Sequence, residues 1–393
     1  GISALTAQSA SNAPELTLRL VFDPKAEIPL SYTGTLMLSG LGVSGIPKVD
    51  EIKNVRGEIT FKTDSATTSD LTFTVLDTPV KVSGDIAHFQ APRINASVSI
   101  NKADLGLVRK LIPEIMEAQG LSVKGSAAID VNFSGPLSKP QEAKINASAA
   151  LSDVSVESKK LDQRASAING IVEYKSPVLS WKDLSVNFQG RTWTSHGSLQ
   201  DLVNPIISAV VKTDDLNADI EAKKEGAKLQ LTSLSGNYFV STYELIGDIF
   251  FPAGKTPHIN MNGEFKLSLR DLPKMLPPEQ AKQVEALKLA GILKIKTHVK
   301  GVPQDWQNLA STTSIETPAL YMMGYQIADL AINAKQKDSE VNPLTVSGKL
   351  YGGDLNATTT VSLKEKRFPF TTGARLENTS LELLKKDTPL KQQ

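Results

Sequence analysis

The chain has 393 residues, 43 basic and 42 acidic side chains, and a formal net charge of +1. This length suits two or three compact domains. The sequence contains no cluster of basic residues that could follow a phosphate backbone, so nucleic acid is not expected as a partner. The absence of cysteine excludes disulfides, zinc–cysteine sites and thiol nucleophiles.

Alternation of apolar and polar residues predicts β-strands along most of the chain, because a period of two places every second side chain on the same face of a strand. In chain order, the clearest alternating stretches are 16–22, 71–75, 94–100, 129–133, 259–269, 293–299 and 330–332. Turn-forming residues separate them at short intervals. The pattern favours antiparallel β architecture.

Two segments are predicted to be helical, one over residues 104–119 and one over residues 271–288, since apolar residues recur there at helical spacing. The second includes Pro277 and Pro278, which mark the start of a good helix-forming stretch. The two segments occupy equivalent places in the sequence repeat described below. We interpret them as short caps on a long sheet, with simple connectors between β modules as the alternative.

The repeat itself is visible in two landmarks. Residues 113–136 resemble residues 278–303: each contains Pro-Glu and then a strand bracketed by glycines ten positions apart, with an offset of 166 (291 − 125). A Gly-Asp-Ile sequence before a proline recurs with an offset of 163 (247 − 84). Such repetition predicts units that bury their apolar faces against their neighbours, and it argues against an enzyme with a single pocket.

No motif predicts catalysis. A Gly-x-Gly-x-x-Gly sequence at 40–45 has Asp64 near the spacing of a ribose-binding acid, but a strand-like run follows it, so we interpret it as a glycine-rich hairpin. No Glu or His stands at metal-ligand spacing from His88, His196, His258 or His298. Neither enzymatic activity nor a cofactor nor a metal is expected.

Several diffuse motifs resemble the AsmA-like and TamB family of bacterial envelope proteins over most of residues 30–385. They are the order Asp-Leu, Leu-Pro and glycine-bracketed strand, together with Gly-Ile-Val-Glu-Tyr at 170–174, the run 184–190 and His-Gly-Ser-Leu at 196–199. The resemblance implies a long, twisted antiparallel sheet, curved into a gutter with an apolar interior, similar to the repeating β-groove of bridge-like lipid transfer proteins. It also implies a periplasmic location, an anchor in the inner membrane, and a part in moving phospholipid to the outer membrane.

The predicted fold class is therefore all-β and mainly antiparallel, an elongated and curved sheet that forms an open apolar groove with two short helical segments. We predict β-groove segments over 1–120, 121–288 and a partial repeat over 289–393, within one continuous elongated domain. The longest apolar runs are far shorter than the roughly 18 residues that span a bilayer. A membrane anchor is therefore expected outside these residues.

The apolar face is the predicted binding site, because a smooth aliphatic lining suits acyl chains, which need no directional contacts. The predicted partner is phospholipid or another acyl-chain lipid, with the inner membrane and outer-membrane proteins at either end. The alternative is a non-enzymatic scaffold or adhesin-like stalk with filled sandwiches. The predicted lipid-binding residues are Leu18, Leu20, Phe73, Ile94, Val98, Ile100, Ile129, Val131, Phe133, Val186, Phe188, Ile259, Met261, Phe265, Leu267, Leu293, Ile295, Val299, Leu330 and Ile332.

Overall fold

A computed structural model describes residues 6–9, 13–25, 29–44, 51–107, 120–139, 142–158, 163–201, 203–252, 254, 256–365, 367–380 and 382–383. The chain divides into two compact units, Gly1–Gln200 and Asp201–Gln393, called here the first and the second unit. Each unit is an antiparallel sheet in which strands adjacent in sequence pair with one another.

The described residues of the first unit form twelve strands and a short 3₁₀ turn at Leu105–Leu107. Strands β1 and β2 both pair with β3, and from β3 onward each strand pairs with the next. The strands are β1 (Thr6–Ser9), β2 (Glu15–Phe22), β3 (Leu30–Ser44), β4 (Glu51–Lys62), β5 (Ser65–Val75), β6 (Thr78–Ala87), β7 (Arg93–Asp104), β8 (Leu121–Pro136), β9 (Lys144–Ser158), β10 (Gln163–Lys175), β11 (Val178–Phe188) and β12 (Arg191–Gln200).

The described residues of the second unit form eleven strands, helix α1 (Pro278–Ala286) and 3₁₀ turns at Leu272–Met275 and Pro303–Asn308. Each strand again pairs with the next. The strands are β13 (Ile206–Lys212), β14 (Leu216–Glu225), β15 (Lys228–Tyr238), β16 (Ser241–Phe250), β17 (His258–Ser268), β18 (Ile292–Gly301), β19 (Ala310–Met322), β20 (Tyr325–Lys337), β21 (Glu340–Leu350), β22 (Gly353–Ser362) and β23 (Phe370–Glu377).

Burial alternates along many strands between half-buried apolar side chains and exposed polar ones, as in β18, whereas β2 and β23 are exposed throughout. Across the described residues, no large side chain is fully buried. A sandwich would seal such side chains between two layers. The apolar side chains are instead shielded mainly by their neighbours on the same face, so the sheet in each unit is open.

The fold class predicted from the sequence is confirmed: the protein is all-β, antiparallel and open. All seven alternating stretches lie in strands or reach one residue beyond. The predicted helical segment at 271–288 is confirmed as a 3₁₀ turn followed by α1, whereas residues 108–119 of the other segment lie outside the described residues. The division into segments 1–120, 121–288 and 289–393 stays a prediction.

The glycine-rich sequence at 40–45 is placed only in part. Gly40 and Gly42 lie inside β3, and residues 45–50 lie outside the described part of the chain. The described portion is therefore strand, as the non-nucleotide interpretation requires, and the predicted hairpin turn is not among the described residues.

The repeat is structural as well as sequential. Gly125 and Gly291, which are 166 residues apart in sequence, have φ values of +111° and +138°. A Cβ at these positions would lie 2.6 Å from the carbonyl oxygens of Asp153 and Ala319, respectively. Both glycines thus allow the backbone of the following strand to approach closely, in a conformation that other residues rarely adopt.

Candidate functional site

One face of the first unit carries a continuous row of apolar side chains across eight strands, β5 to β12. Neighbours in the row are direct cross-strand partners, and all are half-buried. The row consists of Leu71, Val82, Val98, Val131, Ala147, Tyr174, Leu179 and Leu199. We call the face that carries this row the apolar face and the opposite one the polar face.

A second row runs beside the first over six strands, β7 to β12. Its members are Ile100, Ile129, Ala149, Val172, Trp181 and Gly197. The indole Nε1 of Trp181 donates a hydrogen bond to Ser195 Oγ at 2.9 Å. The one polar atom of that ring is therefore satisfied, and the ring presents apolar surface.

The second unit has an equivalent row that crosses all eleven of its strands. Its members are half-buried apart from Ala218, which is buried, and Ala374, which is exposed. The row consists of Val211, Ala218, Gly236, Tyr243, Phe265, Ile295, Ile315, Ile332, Val346, Ala357 and Ala374. Like the rows of the first unit, it contains no charged residue.

The phenol of Tyr243 is the polar group within this row. Its Oη donates a hydrogen bond to the backbone carbonyl of Asn217 at 2.9 Å. Burial raises the pKa of Tyr243, and the negative charge of Asp219 acts in the same direction. The phenol therefore stays neutral at physiological pH, and the row stays uncharged.

Charge is found on the opposite face, where exposed ion pairs connect adjacent strands. Lys296 Nζ lies 3.0 Å from Glu264 Oε1, and Lys81 Nζ lies 3.0 Å from Asp70 Oδ1. Exposed pairs of this kind contribute little to stability, roughly 0–1 kcal/mol each. These pairs keep the polar face hydrated, whereas the rows of the apolar face contain no charged residue.

The structure brings most of the predicted lipid-binding residues together within their own unit. Val98 pairs with Val131, Phe265 with Ile295, and Leu267 with Leu293. Seventeen of the twenty residues are half-buried, and Leu330 is buried with 5% exposure. Leu18 and Leu20 differ, with exposures of 49% and 61%, because β2 pairs only with β3 among the described strands.

Several residues of the rows were missed by the sequence analysis. They are chiefly Tyr174, Leu179, Trp181, Tyr243, Ile315 and Val346. Each continues a period-2 pattern within its strand, and that is the signal that could have found them. Their membership of a row depends on register between strands, which local alternation does not specify.

A buried carboxylate anchors the segment that connects β17 to β18. Asp271, 2% exposed, accepts hydrogen bonds from Ser241 Oγ at 3.0 Å, from the Val240 amide at 3.2 Å and from Lys274 Nζ at 3.2 Å. Burial acts to raise the pKa of Asp271, but the hydrogen bonds outweigh it and hold the pKa below its usual value. The Lys274 ammonium also lies 4.1 Å from the centroid of the Phe239 ring.

One histidine has a partner that the sequence did not reveal. His88 Nδ1 lies 3.0 Å from Asp64 Oδ2, and the Phe89 amide donates to Asp64 Oδ1 at 2.8 Å. Both side chains are exposed. In the described ranges, His, Asp and Glu side chains form no group of three that could hold a metal ion.

Comparisons with known proteins identify no relative. No family model, no curated protein and no solved structure matches the chain. Within the part of the chain that the structure describes, no helix combines the length and apolar content needed to cross a membrane. The argument for function therefore depends on the geometry of the apolar faces.

Proposed function

We propose that this protein is a lipid-transfer conduit, of the kind that the AsmA-like and TamB resemblance implies, and that its apolar faces shield the acyl chains of phospholipid. In the proposal it acts in the periplasm between the inner and outer membranes, with its membrane anchor outside this chain. It needs no cofactor and performs no chemical reaction.

The observation that carries the proposal is an apolar face in each unit that stays open in the part of the chain that the structure describes. Rows of uncharged, mainly apolar residues cross eight described strands in one unit and eleven in the other, yet the described residues include no fully buried large side chain. Each methylene transferred from water to such a surface contributes about 0.8 kcal/mol. A few methylenes are enough to favour binding of an acyl chain, while a polar headgroup can remain in water.

The alternative of a filled β-sandwich scaffold has less support. It requires large side chains sealed between two layers, and the described residues contain none. A scaffold would also gain nothing from uncharged rows that continue from strand to strand, since exposed apolar surface favours aggregation unless a ligand or partner covers it.

The test is direct. Organic extracts of the purified protein are expected to contain phospholipid by mass spectrometry. Val131→Asp and Ile295→Asp, made as separate variants, are each expected to abolish lipid loading in the unit that carries them, because each places a charge in the middle of an apolar row.

The matched controls are Asn132→Asp, next to Val131, and Thr312→Asp, on the strand beside that of Ile295. Each adds the same charge at an exposed position of the polar face. These variants are expected to retain lipid. A clean extract from the unaltered protein, with no uptake of fluorescent phospholipid, would refute the proposal. Loss of the β signal in both apolar-face variants would instead indicate a closed core.

A further inference from the structure

An uncharged polar patch interrupts the apolar face of the second unit. It consists of Thr297 on β18, Thr313 and Ser311 on β19, and Gln336 on β20. Thr297 pairs with Thr313, and Ser311 pairs with Gln336, so the four residues occupy two neighbouring rows. All four are half-buried. The patch lies directly beside the part of the apolar row formed by Ile295, Ile315 and Ile332.

We propose that this patch binds the ester linkage at the base of the acyl chains of a glycerolipid, an inference that rests on the proposed function. In this arrangement the hydrocarbon lies along the isoleucine row and the ester carbonyl accepts a hydrogen bond from the patch. The patch thereby fixes where along the face a lipid sits.

The hydrogen-bonding capacity of the patch fits an ester. Thr297 Oγ1 and Thr313 Oγ1 are 2.8 Å apart, so one hydroxyl donates to the other, and the second hydroxyl hydrogen is left for another acceptor. Gln336 Nε2 donates to the carbonyls of Trp306 at 2.7 Å and Gln307 at 3.2 Å. These two bonds use both amide hydrogens, which hold the side chain in place.

The absence of charge in the patch favours a neutral ligand group over a phosphate. None of the four patch residues is charged, and the rows beside them are uncharged as well. A phosphate would have no cation to meet it there, whereas an ester carbonyl needs only a neutral donor. The linkage between headgroup and acyl chain is the part of a phospholipid that combines neutral acceptors with adjoining hydrocarbon.

The repeat shows that the fold does not require these hydroxyls. The positions 166 residues earlier are Val131 and Ala147, which pair with each other in the same way. Valine has a β-propensity comparable to that of threonine and no hydroxyl to desolvate on an apolar face. The hydroxyls of the second unit are therefore a local addition to the repeated framework.

The experiment compares two ligands that differ only at the linkage. A fluorescent diacyl phosphatidylcholine and its dialkyl-ether counterpart are titrated into the full chain. The unaltered protein is expected to bind the diacyl form about fivefold more tightly, the value of roughly one hydrogen bond. Thr297→Val with Thr313→Val is expected to remove this preference and to leave binding of the ether lipid unchanged.

The control variant makes the same substitutions at a threonine pair on the polar face, Thr60→Val with Thr67→Val. It is expected to keep the preference. Equal affinity of the unaltered protein for both lipids, or a preference that survives in the Thr297/Thr313 variant, overturns this inference and leaves the proposed function standing. Failure to bind either lipid refutes the proposed function itself.

Discussion

Two sets of three cross-strand neighbours occupy equivalent places in the two units: Val98, Val131 and Ala147 in the first, and Gly263, Thr297 and Thr313 in the second. The backbone plan around them is shared, including Gly125 within β8 and Gly291 just before β18. The side chains at these three positions of the open face are not shared. The repeat therefore constrains backbone geometry, while the chemistry of the face varies between copies.

A second difference concerns two aspartates, one at the end of β7 and one shortly after β17. Asp271 is buried and receives three hydrogen bonds, two of which come from the β15–β16 turn and the start of β16. Asp104, the equivalent residue, is exposed and accepts from the Gly106 amide at 2.8 Å. Among the described residues, the same residue type thus fixes a tertiary contact in the second unit and a local turn in the first.

The largest expected effect concerns the shared backbone. Gly125→Ala and Gly291→Ala should each reduce the free energy of unfolding by about 3 kcal/mol, because the added Cβ meets a carbonyl oxygen and φ is positive. Chemical unfolding in urea measures this. Gly226→Ala is the control: its φ is +57°, but nothing lies within 4 Å of the added Cβ, so about 1 kcal/mol is expected. Equal losses at all three positions would contradict the role of close approach.

The next largest effect is a difference in stability between alanine variants of the two aspartates. Asp271→Ala leaves the Ser241 hydroxyl and the Val240 amide without their partner, and should destabilise the second unit by about 2 kcal/mol. Asp104→Ala should cost about 0.5 kcal/mol, since its carboxylate is exposed. Hydrogen exchange of amides in β15 to β18, compared with β5 to β8, distinguishes the two. Similar loss of protection in both variants would show that the aspartates play equal parts.

Acid should weaken the second unit through the same carboxylate. Because the folded pKa of Asp271 is lowered, its stabilising contribution is present above the unfolded value of about 3.9 and is lost as pH falls through the folded pKa. The stability difference between the unaltered protein and Asp271→Asn should therefore shrink below about pH 4. Urea midpoints measured between pH 6 and pH 2.5 test this. A difference that is constant over the range would contradict it.

The smallest expected effect on stability comes from giving the apolar face of the first unit the threonine pair of the second. Val131→Thr with Ala147→Thr builds in the first unit the cross-strand pair found in the second, and should change stability by less than about 0.5 kcal/mol, because these half-buried positions remain partly hydrated. It should also strengthen the preference for ester over ether lipid in the titration described above. Severe destabilisation would show that this part of the first unit is a sealed core.

Much of the fold was predictable from local patterns. The period-2 alternation in stretches such as 94–100 and 129–133 fixed which side chains share a face, and the repeated glycines predicted repeated backbone geometry. Alternation carries no information about which residue of the next strand lies opposite. The neighbours of Val131, which are Val98 and Ala147, needed the register of the sheet.

Polar features were less predictable for a related reason. Asp64 and His88 lie 24 residues apart and meet because two loops lie side by side, and Asp271 meets Ser241 over 30 residues. Neither spacing matches a local motif. Thr297 and Thr313 were passed over because only apolar residues were assigned to the face, and a threonine within an alternating stretch reads equally well as a simple strand-former.

The unsealed face has a consequence for how such a sequence can change over time. Inside a closed core, a substitution must match the shape of the cavity around it, and overpacking by a single methylene is felt. A side chain such as Ile295 is bordered mainly by its cross-strand neighbours. Its position therefore requires a hydrophobic residue but not a particular side-chain shape. Chains built this way can exchange Leu, Ile, Val and Met freely, so descendants can keep the architecture long after pairwise identity has faded.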